Sequence, residues 1–473
     1  MLDVVITGAS VVTPSGVGEW DIGIEGEKIA IVTARGGLPE HNARVLDGRG
    51  MIAVPGGIDP HVHTSWLVPT AASEGIQCAD PAQVSRAAIH GGTTTMLDFA
   101  IWRPGISLSE AYDEKTLDWA GKSYTDYAFH GTFKGEIPFE IVAQIGDAIK
   151  DGHASFKVWM TNATPSRPPQ KTDLGYIWGI LEQTRDHGGM LAVHAEDDEI
   201  VMYSYKKLER DGKWDFPNVH LAHNALSEAL SFRRVIGLAE RVGAAIYLMH
   251  VSAEEGVRAI AESRAKGNPI YGETLQHYLS FNSDDYKREN GQIYHTYPSL
   301  KSEEDRLALW KGLRTGVIST IATDEMCTNL ATKLRGKTID DVTGGHAGVE
   351  VRMGLMYTEM VDKGSGSLLD FVNATSANAA KIMGLYPNKG AIAVGSDADI
   401  VLMRPCEERK LSYLDMHETD YSVWDGYQVT CWPDTTMLRG QVIVANGSLI
   451  AERPTGKLPR RFISSAVLKG PAC

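Results

Sequence analysis

Between residues 51 and 322, short apolar runs alternate with helical patterns, and this alternation constrains the fold more than any other feature of the chain. Strand, helix and strand in repeated order specify a parallel sheet, because each crossover must return the chain to the same end before the next strand begins. Eight runs read as strands: Met51–Ile58, Thr94–Phe99, Tyr124–Thr132, Ala154–Met160, Met190–His194, Ala244–His250, Pro269–Glu273 and Val317–Ala322. Helix signals fall between them. Asp80-Pro81 offers an N-cap with proline at the first helical position, and Gly91-Gly92 ends that helix. Eight such units predict a closed (β/α)8 barrel; a doubly wound open sheet is the alternative, but no GxGxxG follows the first strand.

The two ends of the chain have another texture. Asp3–Thr7, Ile22–Glu25 and Lys28–Val32 read as short strands broken by glycine, and Ile400–Met403, Thr436–Arg439 and Val442–Val444 repeat the pattern late in the chain. The expected architecture is therefore α/β: a TIM-like barrel over residues 53–385, with a small β-sandwich assembled from residues 1–52 and 386–473, the latter including a C-terminal tail. A chain of 473 residues accommodates this, since such barrels take about 250 residues before insertions.

Composition narrows the function classes. The net charge is -14 with no stretch rich in Lys and Arg, which argues against a nucleic-acid partner. No apolar run approaches the roughly 20 residues of a membrane helix, and Met1–Val12 lacks the regions of a signal peptide. The five cysteines are scattered without CxxC spacing, as expected of a reducing compartment, so the cytoplasm is the expected location. A chain of this length needs no structural metal to fold, so a bound metal is expected to serve chemistry.

One motif points to such a metal. Asp59-Pro-His61-Val-His63 ends the first expected barrel strand, and residues two apart on a strand share a face, so both imidazoles can reach one cation. Alone, HxH reads equally well as two satisfied polar residues. His194, His250 and Asp324, however, each end or follow a different expected strand, and strand ends converge on the catalytic face of a barrel. Lys157 lies inside the apolar strand Ser155-Phe-Lys-Val-Trp-Met, where a bare ammonium is costly. It either pairs with an acid or reacts with CO2 to form a carbamate, an anion able to bridge two metals about 3.5–4 Å apart.

With HVH, the SFKVWM lysine, VHAED, MHVS and ATD in this order, the sequence resembles the dihydropyrimidinase, hydantoinase and allantoinase group of cyclic amidohydrolases, over nearly the whole chain. His90–Phe99 (HGGTTTMLDF), Gly272-Glu-Thr274, Gly348-Val-Glu350, Lys389–Asp399 (KGAIAVGSDAD), Trp424-Asp-Gly426 and Met437–Gly440 extend it. The resemblance implies two divalent metals, most simply Zn2+. His61, His63, Lys157 and Asp324 hold the more buried one, and carboxylated Lys157 with His194 and His250 holds the other. It implies attack of a metal-bridging hydroxide on a ring carbonyl, with Asp324 carrying the proton to the leaving nitrogen, and a small-molecule cyclic amide or imide as substrate. A homotetramer or homodimer is the assembly the group suggests.

The substrate-facing positions depart from the group. Its tyrosine five residues after the bridging lysine is Asn162 here, its SPPLR is Tyr297-Pro-Ser-Leu-Lys301, its PNGxPGVE is Thr343–Glu350, and the Asp-His-Cys after the last strand is Asp324-Glu-Met-Cys327. Asn162, Tyr297, Gly344, Trp66 and Trp159 are the expected substrate contacts, Trp102 is a further candidate wall, and Thr64–Gly75 and Thr161–Asp173 are candidate lid loops. The expected function is opening of a hydantoin- or dihydropyrimidine-like ring. An allantoinase-like or lactam- or imide-directed hydrolase, and a non-catalytic scaffold of the same fold, stand as alternatives.

Overall fold

The central alternation resolves into eight parallel strands in a computed structural model that describes residues 1–38 and 43–473: β1 (Gly57–Asp59), β2 (Thr93–Ile101), β3 (Asp126–Thr132), β4 (Ser155–Trp159), β5 (Met190–His194), β6 (Ile246–Leu248), β7 (Ile270–Leu275) and β8 (Thr320–Ala322). Each pairs with its neighbours in chain order. The first and last strands meet through side chains and flanking backbone: the Thr323 hydroxyl donates to Asp59 at 2.6 Å, and the His63 amide donates to the Glu325 carbonyl at 2.7 Å. The expected barrel is thus present and nearly closed. β4 and β5 are buried along their whole length, as strands lined inside by side chains and covered outside by helices must be. The helix Pro81–His90 starts as its sequence predicts, with the Asp80 carboxylate accepting from the Gln83 amide.

The expected first strand is corrected. Met51–Ile58 is two elements: Ile52–Pro55 pairs antiparallel with the strand Ile400–Lys410, and only Gly57–Asp59 enters the barrel. The chain turns at Gly56, where any side chain would strike Thr94. Both halves are buried against different cores, so their apolar character does not separate them.

The β-domain expected from both chain ends is there, as one ten-stranded sheet curled over its own core. Val11, Ile22 and Ala53 from the first end meet Ile400, Leu402 and Met437 from the second. Two buried cations tie the later part of the chain to the barrel. Lys389 lies 2.7 Å from Asp126, which opens β3, and 3.2 and 2.6 Å from Asp397 and Asp399. Arg461 is fully buried and donates to the Ser155 hydroxyl at 3.0 Å and to the Phe129 and Met383 carbonyls at 2.6 and 3.1 Å. Among the described residues no helix is long and apolar enough to cross a membrane.

Candidate metal centre

Five of the six candidate ligands end or follow a barrel strand, as the barrel requires, and Lys157 lies in the middle of one. His61 and His63 follow β1, Lys157 is the third residue of β4, His194 ends β5, His250 follows β6 and Asp324 follows β8. His61 Nε2 and His63 Nε2 lie 3.0 and 2.9 Å from Asp324 Oδ1. Ligands about 2.0–2.2 Å from a shared ion stand at such separations from one another, and two imidazoles with a carboxylate are a donor set that zinc accepts. His250 stands 5.4 Å from His61 and 4.5 Å from His194, ring centre to ring centre, which brings the other two imidazoles beside the first pair. These residues fit a two-metal centre.

The backbone is bent to make this arrangement. His250 has φ 42° and Asp324 φ 51°, in the left-handed region that costs an L-residue energy and persists only where surrounding structure enforces it. Part of that enforcement comes from Glu273 of β7. Its Oε1 lies 2.8 Å from His61 Nδ1 and accepts from the His250 amide at 3.1 Å, while Oε2 accepts from the Tyr247 hydroxyl at 2.8 Å. A proton held on His61 Nδ1 leaves Nε2 free to ligate. His194 is placed in the same way by Glu196, at 2.8 Å, and Glu196 is held in turn by His223 at 2.8 Å. The Thr296 hydroxyl donates to Asp324 Oδ2 at 3.1 Å.

Charge reinforces the placement. Burial works against ionisation of Asp324, yet His61 and His63 outweigh it and hold the carboxyl well below its usual range. Burial likewise opposes protonation of His61, but the Asp324 and Glu273 carboxylates push it up to about 9. Lys157 is 1% exposed; its Nζ is 2.7 Å from Met249 Sδ and 5.1 Å from the Trp159 ring. Among the described residues no carboxylate bonds it, and burial brings it down to about 7, where much of the amine is neutral. A second group of acids, Asp126, Asp397 and Asp399, is close enough to suggest an ion, but the Lys389 ammonium sits among them.

Above the ligands opens a cavity of about 570 Å³. Trp66, Trp159, Tyr297 and Gly344 line it, as do residues of both candidate lid loops, among them Leu67, Pro69, Arg167 and Gln170. Gly344 has a steric reason: a Cβ there would lie 2.6 Å from the Tyr297 ring. Asn162 does not join them. Its carbonyl oxygen accepts from the Gln170 and Lys171 amides at 2.9 and 3.0 Å, so the side chain is spent on shaping its own loop. Trp102 is also elsewhere, buried with its Nε1 donating to the Ile106 carbonyl at 2.8 Å. Glu325 reaches the Gly348 and Val349 amides at 2.8 and 3.0 Å, fastening the 343–350 segment below the cavity.

Three residues of the cavity and its support escape sequence reasoning. Lys134, two residues past β3, lines the cavity. Arg167 stacks over Tyr297 at 4.7 Å. Lys333 is fully buried and donates to the His295, Thr343 and Gly345 carbonyls at 2.6, 2.8 and 2.5 Å, joining the segment of Tyr297 to that of Gly344. An isolated Lys or Arg in a loop carries no local signal of where it ends up.

Residues 52–443 match the model of the Amidohydrolase family. The chain is 34% identical to a D-hydantoinase of Ralstonia pickettii over 97% of its own length and 99% of that protein's. It is 31% identical to a D-hydantoinase of Geobacillus stearothermophilus, over 98% and 97%. Among solved structures it superposes on a dihydropyrimidinase from Brevibacillus agri with a TM-score of 0.91 at 30% identity, covering 98% of this chain and 100% of that one. An L-hydantoinase from Arthrobacter aurescens gives 0.88 at 27% identity, covering 98% and 100%. The strand-end histidines, the barrel and the full-length similarity agree, and the chain belongs to the amidohydrolase family.

Proposed function

We propose that the chain is a metal-dependent hydrolase that opens a cyclic amide or imide ring of hydantoin or dihydropyrimidine type. The observation that carries this reading is that His61 and His63 both lie within 3.0 Å of Asp324, with Lys157, His194 and His250 around them, at the floor of an aromatic-walled cavity. Its relatives named D-hydantoinase support the ring class.

In this reading His61, His63, Lys157 and Asp324 would hold one metal, and Lys157, His194 and His250 would hold the other. Lys157 acts as a carbamate: its neutral amine forms an N–C bond to CO2 and releases one proton. Bound divalent metals supply Lewis acidity and make a water nucleophilic near neutral pH. Asp324 is placed to take a proton from the attacking water and to deliver it to the ring nitrogen as the C–N bond breaks. One water is consumed, and a carboxylic acid and a freed nitrogen group result. Glu273 and Glu196 keep His61 and His194 in the ligating tautomer. Trp66, Trp159, Tyr297 and Gly344 seat the ring, with Asn162 acting through the loop it braces. Zinc suits the mixed imidazole and carboxylate donors, and the same reading makes the protein a cytoplasmic homotetramer or homodimer.

The test is proton release from zinc-loaded protein given hydantoin, dihydrouracil, 5-phenylhydantoin, allantoin, succinimide and phthalimide. Opening of hydantoin or dihydrouracil is expected, falling by about 10²–10⁴-fold in Asp324→Asn and with loss of metal in Lys157→Ala. Opening of allantoin or succinimide alone would redirect the substrate class. Inertness toward the whole panel, with two metals bound per chain, would overturn the reading.

A further inference from the structure

Lys134 presents a charge that nothing in the metal centre needs. Its ammonium lies 5.0 Å from the ring centres of both Trp66 and Trp159. Those rings are 6.3 Å apart, and Trp66 packs 4.2 Å from His63. Indole faces hold a cation through their quadrupoles, but they accept none of the three N–H bonds an ammonium offers. Among the described residues no carboxylate, carbonyl or hydroxyl bonds Lys134, which is partly buried and faces the cavity.

The other charges of the cavity are differently committed. Arg335 is paired with Glu74 at 2.5 and 2.9 Å. Asp340 accepts from the Ser166 amide at 3.1 Å, and Asp341 from the Lys337 and Thr338 amides at 2.9 and 2.7 Å. Arg167 donates one bond, to the Val342 carbonyl at 2.8 Å, and otherwise lies over Tyr297. Asp340 and Asp341 are thus satisfied by backbone amides, and among the described residues Lys134 is the cavity charge with neither an ion pair nor a hydrogen bond, standing on the two aromatic walls beside the candidate metal centre.

We propose that the enzyme is built for a ring bearing a carboxylate substituent, and that Lys134 is its specificity-determining residue. The substituent seats between the Trp66 and Trp159 indoles and supplies the acceptor that Lys134 lacks, while the scissile carbonyl faces the metals. Arg167, which also lines the cavity, adds a second cation. This inference rests on the ring-opening reading and extends it from a ring to a charged class of ring.

The experiment compares 5-(2-carboxyethyl)hydantoin with its near-isosteric neutral amide, 5-(2-carbamoylethyl)hydantoin, on the metal-loaded full chain. Wild type is expected to favour the acid by about tenfold or more in kcat/KM, since an unmet buried donor penalises the neutral analogue, and added salt narrows the gap. Lys134→Met removes most of that ratio, chiefly through KM, and Lys134→Arg restores part of it. Equal rates on both compounds in wild type, or an unchanged ratio in Lys134→Met, would overturn the inference and leave ring opening standing. An equal fall in kcat on both compounds would make Lys134 a group serving catalysis, and would overturn it too. Failure of both compounds together with hydantoin and dihydrouracil overturns the ring-opening reading itself. Should Lys134→Met not fold, as judged by circular dichroism, the wild-type ratio and its salt dependence decide.

Discussion

Glu418 shows how a single buried acid shapes this protein's response to pH. Burial, with Glu350 and the equally buried Glu325 nearby, pushes its carboxyl up to about 8. One oxygen accepts from the Glu350 amide at 2.6 Å, so the group has a structural task that does not require charge. Its folded pKa lies above the unfolded value, so between about 4.3 and 8 the folded chain keeps a proton that the unfolded chain releases. Stability therefore falls as pH rises through that window, by up to about 1.4 kcal/mol per unit from this group. Glu418→Gln keeps the acceptor and removes the titration. Its melting temperature should exceed that of wild type near pH 8 and approach it near pH 5, and parallel curves would refute the assignment. The centre's residues differ in how far the sequence exposes them. His61, His63, His194, His250 and Asp324 are legible because strand ends and chain order are local properties. The left-handed backbones of His250 and Asp324, and the ammonium of Lys134 between two indoles, are not, because each depends on what the fold places beside it.

At the scale of elements, strand existence is legible and strand membership is not. Met190–His194 stands as the sequence predicts, since its apolar run is bounded by Gly188-Gly189 and by a helix signal. The run at 51–58 divides between two sheets because both bury it. The short strands Ser10–Thr13 and Arg44–Asp47 carry too few residues to declare a period, and exist through partners supplied by other segments. Lys389 is the joint between the late segment and β3, and its ammonium offsets three carboxylates at once. Lys389→Met leaves Asp399 without a cation in a buried setting, while Asp126 keeps Arg439 and Asp397 keeps Lys28, and the loss should cost about 3 kcal/mol at pH 7. Thermal unfolding should show a smaller loss near pH 4, because burial raises the Asp399 carboxyl and lets it take a proton there; a loss independent of pH would mean the lysine acts through packing alone.

The whole molecule is held together across long stretches of chain. Arg461 lies fully buried beneath the metal centre, bonded to Ser155 at the start of β4. Ser155 bonds His130 at 2.8 Å, and His130 reaches the Pro60 carbonyl at 2.9 Å, immediately before His61. Removing this cation should therefore be felt at the centre as well as in stability. Arg461→Met is expected to melt lower and to surrender metal to a chelator about 10–100-fold more readily, the scale seen when outer partners of a ligand are lost. Unchanged chelator kinetics in a destabilised variant would confine Arg461 to a packing role. Its position also sets an order of events during synthesis. The ribosome delivers His61 some four hundred residues before Arg461, and until the arginine arrives the barrel floor under that histidine has an opening where a guanidinium belongs. A nascent chain that has passed residue 324 carries all six candidate ligands but lacks the support beneath them, so assembly of the centre waits until Arg461 has been made.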